Sequence, residues 1–241
     1  MRDSDFLKAN LQLLYERIGT CRPAHDPSHE VELLAVTKGH AVERLRALHT
    51  IAPNLRFAEN YQQELQRKAE ALRDLSIRWV FIGRIQSNKL KKIVDVCEEI
   101  QTVESWHHAQ LIANYAQTKG ESTYPVFIAV NLSNNPRKGG LPLADALLLA
   151  GNIASKLPSL RLRGLMTVPD PLSDHARLAS LRGEVPQAYR EFVFASRQVG
   201  EGHASLGMSD DLEAAVTAGS HCVRIGTALL GPRSAETSED N

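Results

Sequence analysis

Short β-rich apolar runs alternate with longer segments of helical spacing along nearly the whole chain. The runs near 31–37, 55–58, 77–82, 100–103, 125–132, 160–166, 203–207 and 221–225 predict strands. The segments near 41–51, 61–74, 87–97, 106–118, 141–156, 186–199 and 211–218 predict helices between them. A further amphipathic helix near 5–18, with Phe6, Leu7, Leu11, Leu14 and Ile18 on one stripe, precedes the first strand and suits a cover over the floor or side of the fold. Strands regularly separated by helices pair in parallel through right-handed crossovers, and about eight of them close a barrel rather than leave an open sheet. The predicted fold is therefore α/β, a single (β/α)8 TIM barrel with an extra N-terminal helix over residues 1–233. A doubly wound open sheet is the alternative, and the fourth strand is the least marked of the set.

The most irregular internal segment lies late in the chain. The stretch 170–185 opens with Asp170-Pro171-Leu172-Ser173-Asp174, contains Gly183 and is followed by Pro186. Both of its flanks continue the alternation, so it reads as a partly helical connector rather than a domain linker. The tail at 234–241 is polar and acidic with nothing to bury, and is expected to be disordered.

A length of 241 residues suits one such barrel. Its 28 basic residues balance 28 acidic ones, which leaves no global field to attract nucleic acid or an anionic membrane and favours a small-molecule partner. Three widely spaced cysteines without a C-x-x-C pair read as reduced thiols, not as a disulfide framework or zinc site. With no leader-like N-terminus and no apolar window of membrane-spanning length, the chain is expected to be soluble and cytoplasmic.

The candidate chemistry starts at Lys38, which closes the apolar run Val31 to Thr37. Burial disfavours an ammonium ion and lowers its pKa, leaving a neutral amine able to attack a carbonyl; the competing reading is a lysine that snorkels into water. In a barrel the C-terminal strand ends face one mouth. That brings Lys38 together with Glu59-Asn60, Gly83 to Asn88, Asn131, Met166, Ser209 and the run Arg224 to Thr227. Phosphate sites in such barrels use the loops after strands seven and eight and a short extra helix. Gly226 allows close backbone approach, Thr227 offers an amide and a hydroxyl, Thr227 to Leu230 suits a brief helix ended by Gly231, and Ser209 supplies a second hydroxyl. An ordinary helix start or N-cap remains the alternative for each of these. An imine-forming lysine opposite a phosphate site points to pyridoxal 5′-phosphate (PLP), which carries both an aldehyde and a phosphate. A Schiff-base aldolase acting on sugar phosphates is the competing class.

Several motifs resemble one known family. Phe57-Ala58-Glu59-Asn60-Tyr61, Trp79-Val80-Phe81-Ile82-Gly83, Gln86-Ser87-Asn88-Lys89, Gly164-Leu165-Met166, Gly207 to Ala215 and Val223 to Ala228 occur in the order and spacing of the pyridoxal phosphate homeostasis proteins, from about residue 30 to residue 233. The resemblance implies a barrel like the N-terminal domain of alanine racemase, with a PLP aldimine on Lys38. It further implies that Ser209, Gly226 and Thr227 hold the phosphate, that Arg224 faces the pyridine nitrogen, and that Asn60 and Met166 line the pocket. Ala58, Val80, Arg84, Leu206 and Leu230 depart from the usual family residues without removing one of these contacts.

An arginine only donates hydrogen bonds, so it keeps the pyridine nitrogen unprotonated and the ring a weak electron sink. That favours a monomeric carrier which stores, buffers or delivers PLP, with other B6 vitamers and transient contact with apo-enzymes as further partners. A weak PLP-dependent amino-acid racemase is the alternative. Lys89 and Lys138 read as solvated loop charges, Lys138 being the one placed to touch cofactor at the mouth.

Overall fold

Eight short strands alternate with helices in the computed structural model, which describes residues 3–23, 26, 28–133, 135–173 and 182–233. The tail at 234–241 and residues 174–181 of the predicted connector lie outside the described residues. Helix α1 (Asp3–Thr20) leads into β1 (Glu32–Val36), α2 (Val42–Ile51), β2 (Arg56–Glu59), α3 (Gln62–Ala71) and β3 (Trp79–Phe81). A 3-10 turn at Ser87–Lys89 and α4 (Leu90–Val96) together replace the single helix expected over 87–97. They are followed by β4 (Glu99–Val103), α5 (Trp106–Lys119), β5 (Tyr124–Val130), α6 (Leu143–Lys156) and β6 (Leu160–Thr167). The last elements are α7 (Gln187–Ser196), β7 (His203–Ser205), α8 (Leu212–Ala218), β8 (Cys222–Ile225) and a single-turn α9 (Thr227–Leu230).

The strands lie in sequence order in a closed parallel barrel. Closure is made by β1 and β8, in register from Glu32 opposite Cys222 to Ala35 opposite Ile225. The doubly wound alternative is thereby excluded. Leu7, Leu11, Leu14 and Ile18 of α1 are buried, as its stripe predicts, whereas Phe6 is half-buried beneath the Arg44 guanidinium. Helix α1 packs on α2, α8 and α9, so it covers the barrel side over the β8–β1 seam. Arg17 of α1 pairs with Glu213 of α8 at 2.7 Å, and the Asn10 amide donates to the Leu229 carbonyl at 3.0 Å. Among the described residues no helix is long and apolar enough to cross a membrane.

The large apolar core lies between strands and helices. Inside the barrel the apolar cluster is small: Leu34, Val36, Ala58, Val80 and Cys222, with Ile82 against it. Much of the remaining interior is polar, which explains why β4 is weakly marked in the sequence. Its Glu99 and Gln101 are fully buried and hydrogen-bonded to one another at 2.7 Å, while Ile100 and Val103 join the outer core. A register irregularity between Ile100 and Val103 accommodates that pattern.

Glu99 is the hub of an ion network near the barrel floor. It meets Arg163 at 3.1 Å and Arg56 at 3.2 Å, and Arg56 also grips Glu32 through two hydrogen bonds. Burial pulls the Arg56 pKa down, but its hydrogen bond to Glu32 and the charges of Glu99 and Glu32 outweigh it, so the net shift is upward. Removing one partner of a buried ion network leaves uncompensated charge. Arg56→Met is expected to destabilise the fold by about 3–5 kcal/mol, read as a fall in the urea midpoint at unchanged slope.

Candidate functional site

Lys38 stands at the top of β1 in a tight turn. The His40 amide donates to the Thr37 carbonyl at 3.1 Å, closing residues 37–40, and Gly39 takes φ 71°, a conformation that L side chains rarely adopt. The Thr37 amide donates to the Ala58 carbonyl at 3.0 Å, which ties the end of β1 to β2. Lys38 itself is half-buried. Burial and the Arg233 cation lower its pKa, and Glu59 and Glu64 act in the opposite direction. The net depression increases the fraction present as neutral, nucleophilic amine.

Glu59 and Asn60 follow at the top of β2. Gly83, beyond β3, passes so close that a Cβ there would lie 1.6 Å from the Asn60 carbonyl oxygen, so only glycine fits. Asn60 Oδ1 is buried and has no hydrogen-bond partner among the described residues. A buried acceptor of this kind is open to a hydrogen bond from water or from a ligand.

On β8, Arg224 points into the barrel from the position opposite Leu34 of β1. Its guanidinium donates to Ser205 Oγ at 2.6 Å and to the Thr167 carbonyl at 2.5 Å, and Ser205 donates onward to Gln101 at 2.8 Å. Burial lowers the Arg224 pKa, and Cys222 and Asp211 partly offset that. Met166 is buried between Ala129 of β5 and Ser205 of β7 in the register. The carbonyl of Gly226 accepts from Leu229 and Leu230 at 3.0 and 2.8 Å, which starts α9 at Thr227, and Gly231 at φ 78° ends it, as expected from the sequence. Ser209 Oγ accepts the Ala228 amide at 3.3 Å, joining the loop after β7 to the first turn of α9.

Lys38, Asn60, Met166, Ser209, Arg224, Gly226 and Thr227 thus come from C-terminal strand ends or the segments just beyond them, which parallel closure turns to one mouth. Other candidates are engaged elsewhere. The Asn131 amide is used inside its own loop, donating to the Asn135 carbonyl at 2.8 Å. Lys138 pairs with Asp170 at 2.5 Å, which holds the Asp170 carboxyl below its usual range. Val80 is buried in the inner apolar cluster, and Arg84 is exposed.

Sequence reading did not single out Lys68, Glu64, Gln101, Ser205 or Arg233. Lys68 is fully buried and hydrogen-bonds Glu59 at 2.7 Å and Glu64 at 2.6 Å. The spacing of Glu64 and Lys68 on α3 was a usable signal, since residues four apart share a helix face. Ser205 and Arg233 have no local signal, and Gln101, although it bonds Glu99 on its own strand, meets Ser205 only across the barrel.

No protein-family model matches the chain. Curated relatives named pyridoxal phosphate homeostasis protein do match it. That of Pseudomonas aeruginosa is 39% identical over 213 residues, 86% of each chain, and that of Escherichia coli K12 is 36% identical over 213 residues, 85% of this chain and 86% of the relative. Among solved structures, PipY of Synechococcus elongatus with PLP bound superposes with a TM-score of 0.70 at 28% identity, covering 90% of this chain and all of PipY. Alanine racemase of Corynebacterium glutamicum shares the fold at a TM-score of 0.65 and 16% identity, over 98% of this chain and 63% of the racemase. The expected barrel thus agrees with that of the solved relatives, and the identity to the curated relatives is spread over most of both chains. The chain belongs to the pyridoxal phosphate homeostasis protein family.

Proposed function

We propose that the protein binds pyridoxal 5′-phosphate reversibly through Lys38 and stores, buffers or delivers it. The observation that carries this reading is a half-buried amine of depressed pKa, at the top of β1, sharing a barrel mouth with the Ser209–α9 junction and the Arg224 guanidinium. The curated relatives bear the homeostasis name, and PipY was solved with PLP bound, which supports the same ligand here. When bound, this group supplies an electrophilic aldehyde, a phosphate and a pyridine ring.

In this reading Lys38 Nζ adds to the aldehyde carbon with loss of one water. The Ser209 hydroxyl and the Gly226 and Thr227 backbone hold the phosphate. Arg224, a donor at every nitrogen, faces the pyridine nitrogen, while Asn60 and Met166 line the pocket. A guanidinium held by Ser205 and Thr167 donates hydrogen bonds without releasing a proton, so the ring nitrogen would stay unprotonated and carbanion chemistry would be poorly supported. That favours a carrier over a racemase. The reading extends to a monomer in the cytoplasm that accepts B6 vitamers and meets apo-enzymes transiently.

The purified protein, loaded with PLP, is expected to absorb in the visible, and borohydride is expected to fix a phosphopyridoxyl group on Lys38 that mass analysis locates. Lys38→Ala is expected to lack both. A protein that gains no band with added PLP overturns the proposal and favours a sugar-phosphate ligand. Racemisation of alanine by the loaded protein is expected to stay well below about 1 s⁻¹, the low end of ordinary enzyme turnover; a faster rate favours the racemase.

The pH dependence follows from the charges around Lys38. Arg233 lowers the Lys38 pKa, so Arg233→Gln is expected to raise it and leave less neutral amine at pH 7. PLP uptake at pH 7 should slow by roughly two- to fivefold, the range expected for one partly exposed charge. Its rate profile should move to higher pH, with the alkaline plateau unchanged.

A further inference from the structure

The turn that carries Lys38 is gripped from both sides by one buried cluster on β2 and α3. On one side, Lys68 Nζ donates to the Thr37 carbonyl at 2.5 Å, and Thr37 Oγ1 donates to Glu59 Oε1 at 2.6 Å. On the other, the Gly39 amide donates to Glu64 Oε1 at 2.7 Å. Lys68 joins the two halves, since the same ammonium donates to Glu59 Oε1 at 2.7 Å and to Glu64 Oε1 at 2.6 Å. Its three donors are therefore committed to one backbone carbonyl and two carboxylates. The side chains of Lys68 and Glu59 are 0% exposed, and that of Glu64 is 14% exposed.

A buried ion cluster is weak evidence for stability, because desolvating the charges offsets much of their attraction. What this cluster does geometrically is specific. It takes hold of the residue before Lys38 and the residue after it, and of no backbone atom of Lys38 itself. The same turn is also held by the His40–Thr37 hydrogen bond, by the Thr37 amide on the Ala58 carbonyl, and by the Arg233 stem, which packs against Gly39 so closely that a Cβ there would lie 3.1 Å from Arg233 Cδ.

We propose that Lys68, held between Glu59 and Glu64, is a positioning residue: it fixes the Thr37–His40 turn so that the Lys38 amine is presented to the barrel mouth. This rests on Lys38 being the PLP-binding amine. Lys68 is not a second acceptor, since its ammonium is surrounded by carboxylates and shut away from solvent. Holding a reacting group in register is where a small loss of geometry has a large effect on reaction.

The test compares the wild type with Lys68→Met, Glu64→Ala and Glu64→Gln, each first checked for its fold by circular dichroism. Two quantities are then measured: PLP affinity by absorbance titration, and the acylation of Lys38 relative to the other lysines by trace acetic anhydride in PLP-free protein. Lys68→Met and Glu64→Ala are expected to weaken PLP binding by roughly tenfold or more and to change the relative labelling of Lys38. Glu64→Gln keeps an oxygen acceptor for the Gly39 amide and for Lys68, so it is expected to recover most of what Glu64→Ala loses. A merely structural role would lower the melting temperature without that ordering.

Wild-type affinity and labelling in folded Glu64→Ala would overturn the proposal, as would Glu64→Gln behaving no better than Glu64→Ala. Should Lys68→Met fail to fold, the two Glu64 variants decide alone, since their site is partly exposed. A wild-type protein that takes up no PLP sinks the cofactor reading, whereas the labelling of Lys38 still reads the positioning independently.

Discussion

Hydrogen bonding between β1 and β8 joins the first and last strands of the barrel, and the candidate site depends on that closure. The pairing runs from Glu32 opposite Cys222 to Ala35 opposite Ile225, so the residues that follow, Lys38 on one strand and Gly226 and Thr227 on the other, emerge side by side. They are separated by nearly the whole chain. A parallel sheet left open at this seam would place them on opposite edges. Helix α1 seals the same seam from outside, through its contacts with α2, α8 and α9. The N-terminal extension therefore supports the site although it contributes no residue to it.

Closure also encloses polar groups that must satisfy one another. Arg224 donates to Ser205, Ser205 to Gln101 and Gln101 to Glu99, and Glu99 meets Arg56 and Arg163 near the floor. The orientation of the guanidinium at the mouth is thus coupled to an ion network at the other end of the barrel. Buried polar networks are unfavourable unless every member is paired, so this column holds Arg224 rigidly in one arrangement. In the proposed function, a fixed cationic donor rather than a carboxylate at this position favours a reversible binder over a strong electron sink.

The two ends of the proposed cofactor are served by differently built supports. The Ser209–α9 side uses backbone and hydroxyl groups on short, local structure. The Lys38 side uses a buried charge cluster behind a glycine turn. Lys38 lies between opposing fields, with Arg233 and burial lowering its pKa and Glu59 and Glu64 raising it. The depressed pKa is a net result of those influences and not a consequence of burial alone.

Much of this was legible in the sequence. All eight strands, the brief α9 ended by Gly231 and the α1 stripe follow from period, β-rich runs and turn chemistry, which are local properties. Lys38, Ser209 and Thr227 were legible as strand-end chemistry, because parallel strands must send their C-terminal ends to one face. The 87–97 segment was less legible, since the split between a 3-10 turn and α4 depends on how the chain leaves β3. By itself the sequence determined the order of elements, the barrel and the types of group available at its mouth. Only the tertiary structure decided which partners those groups have: that Lys68 grips the Lys38 turn, that the Arg233 charge acts on the amine, that Lys138 is paired with Asp170, and that Arg224 is held through Ser205 and Gln101. The physical reason is that hydrogen bonds and Coulomb forces act over a few ångströms in space, and in a closed barrel those distances join residues that no local pattern in the sequence relates.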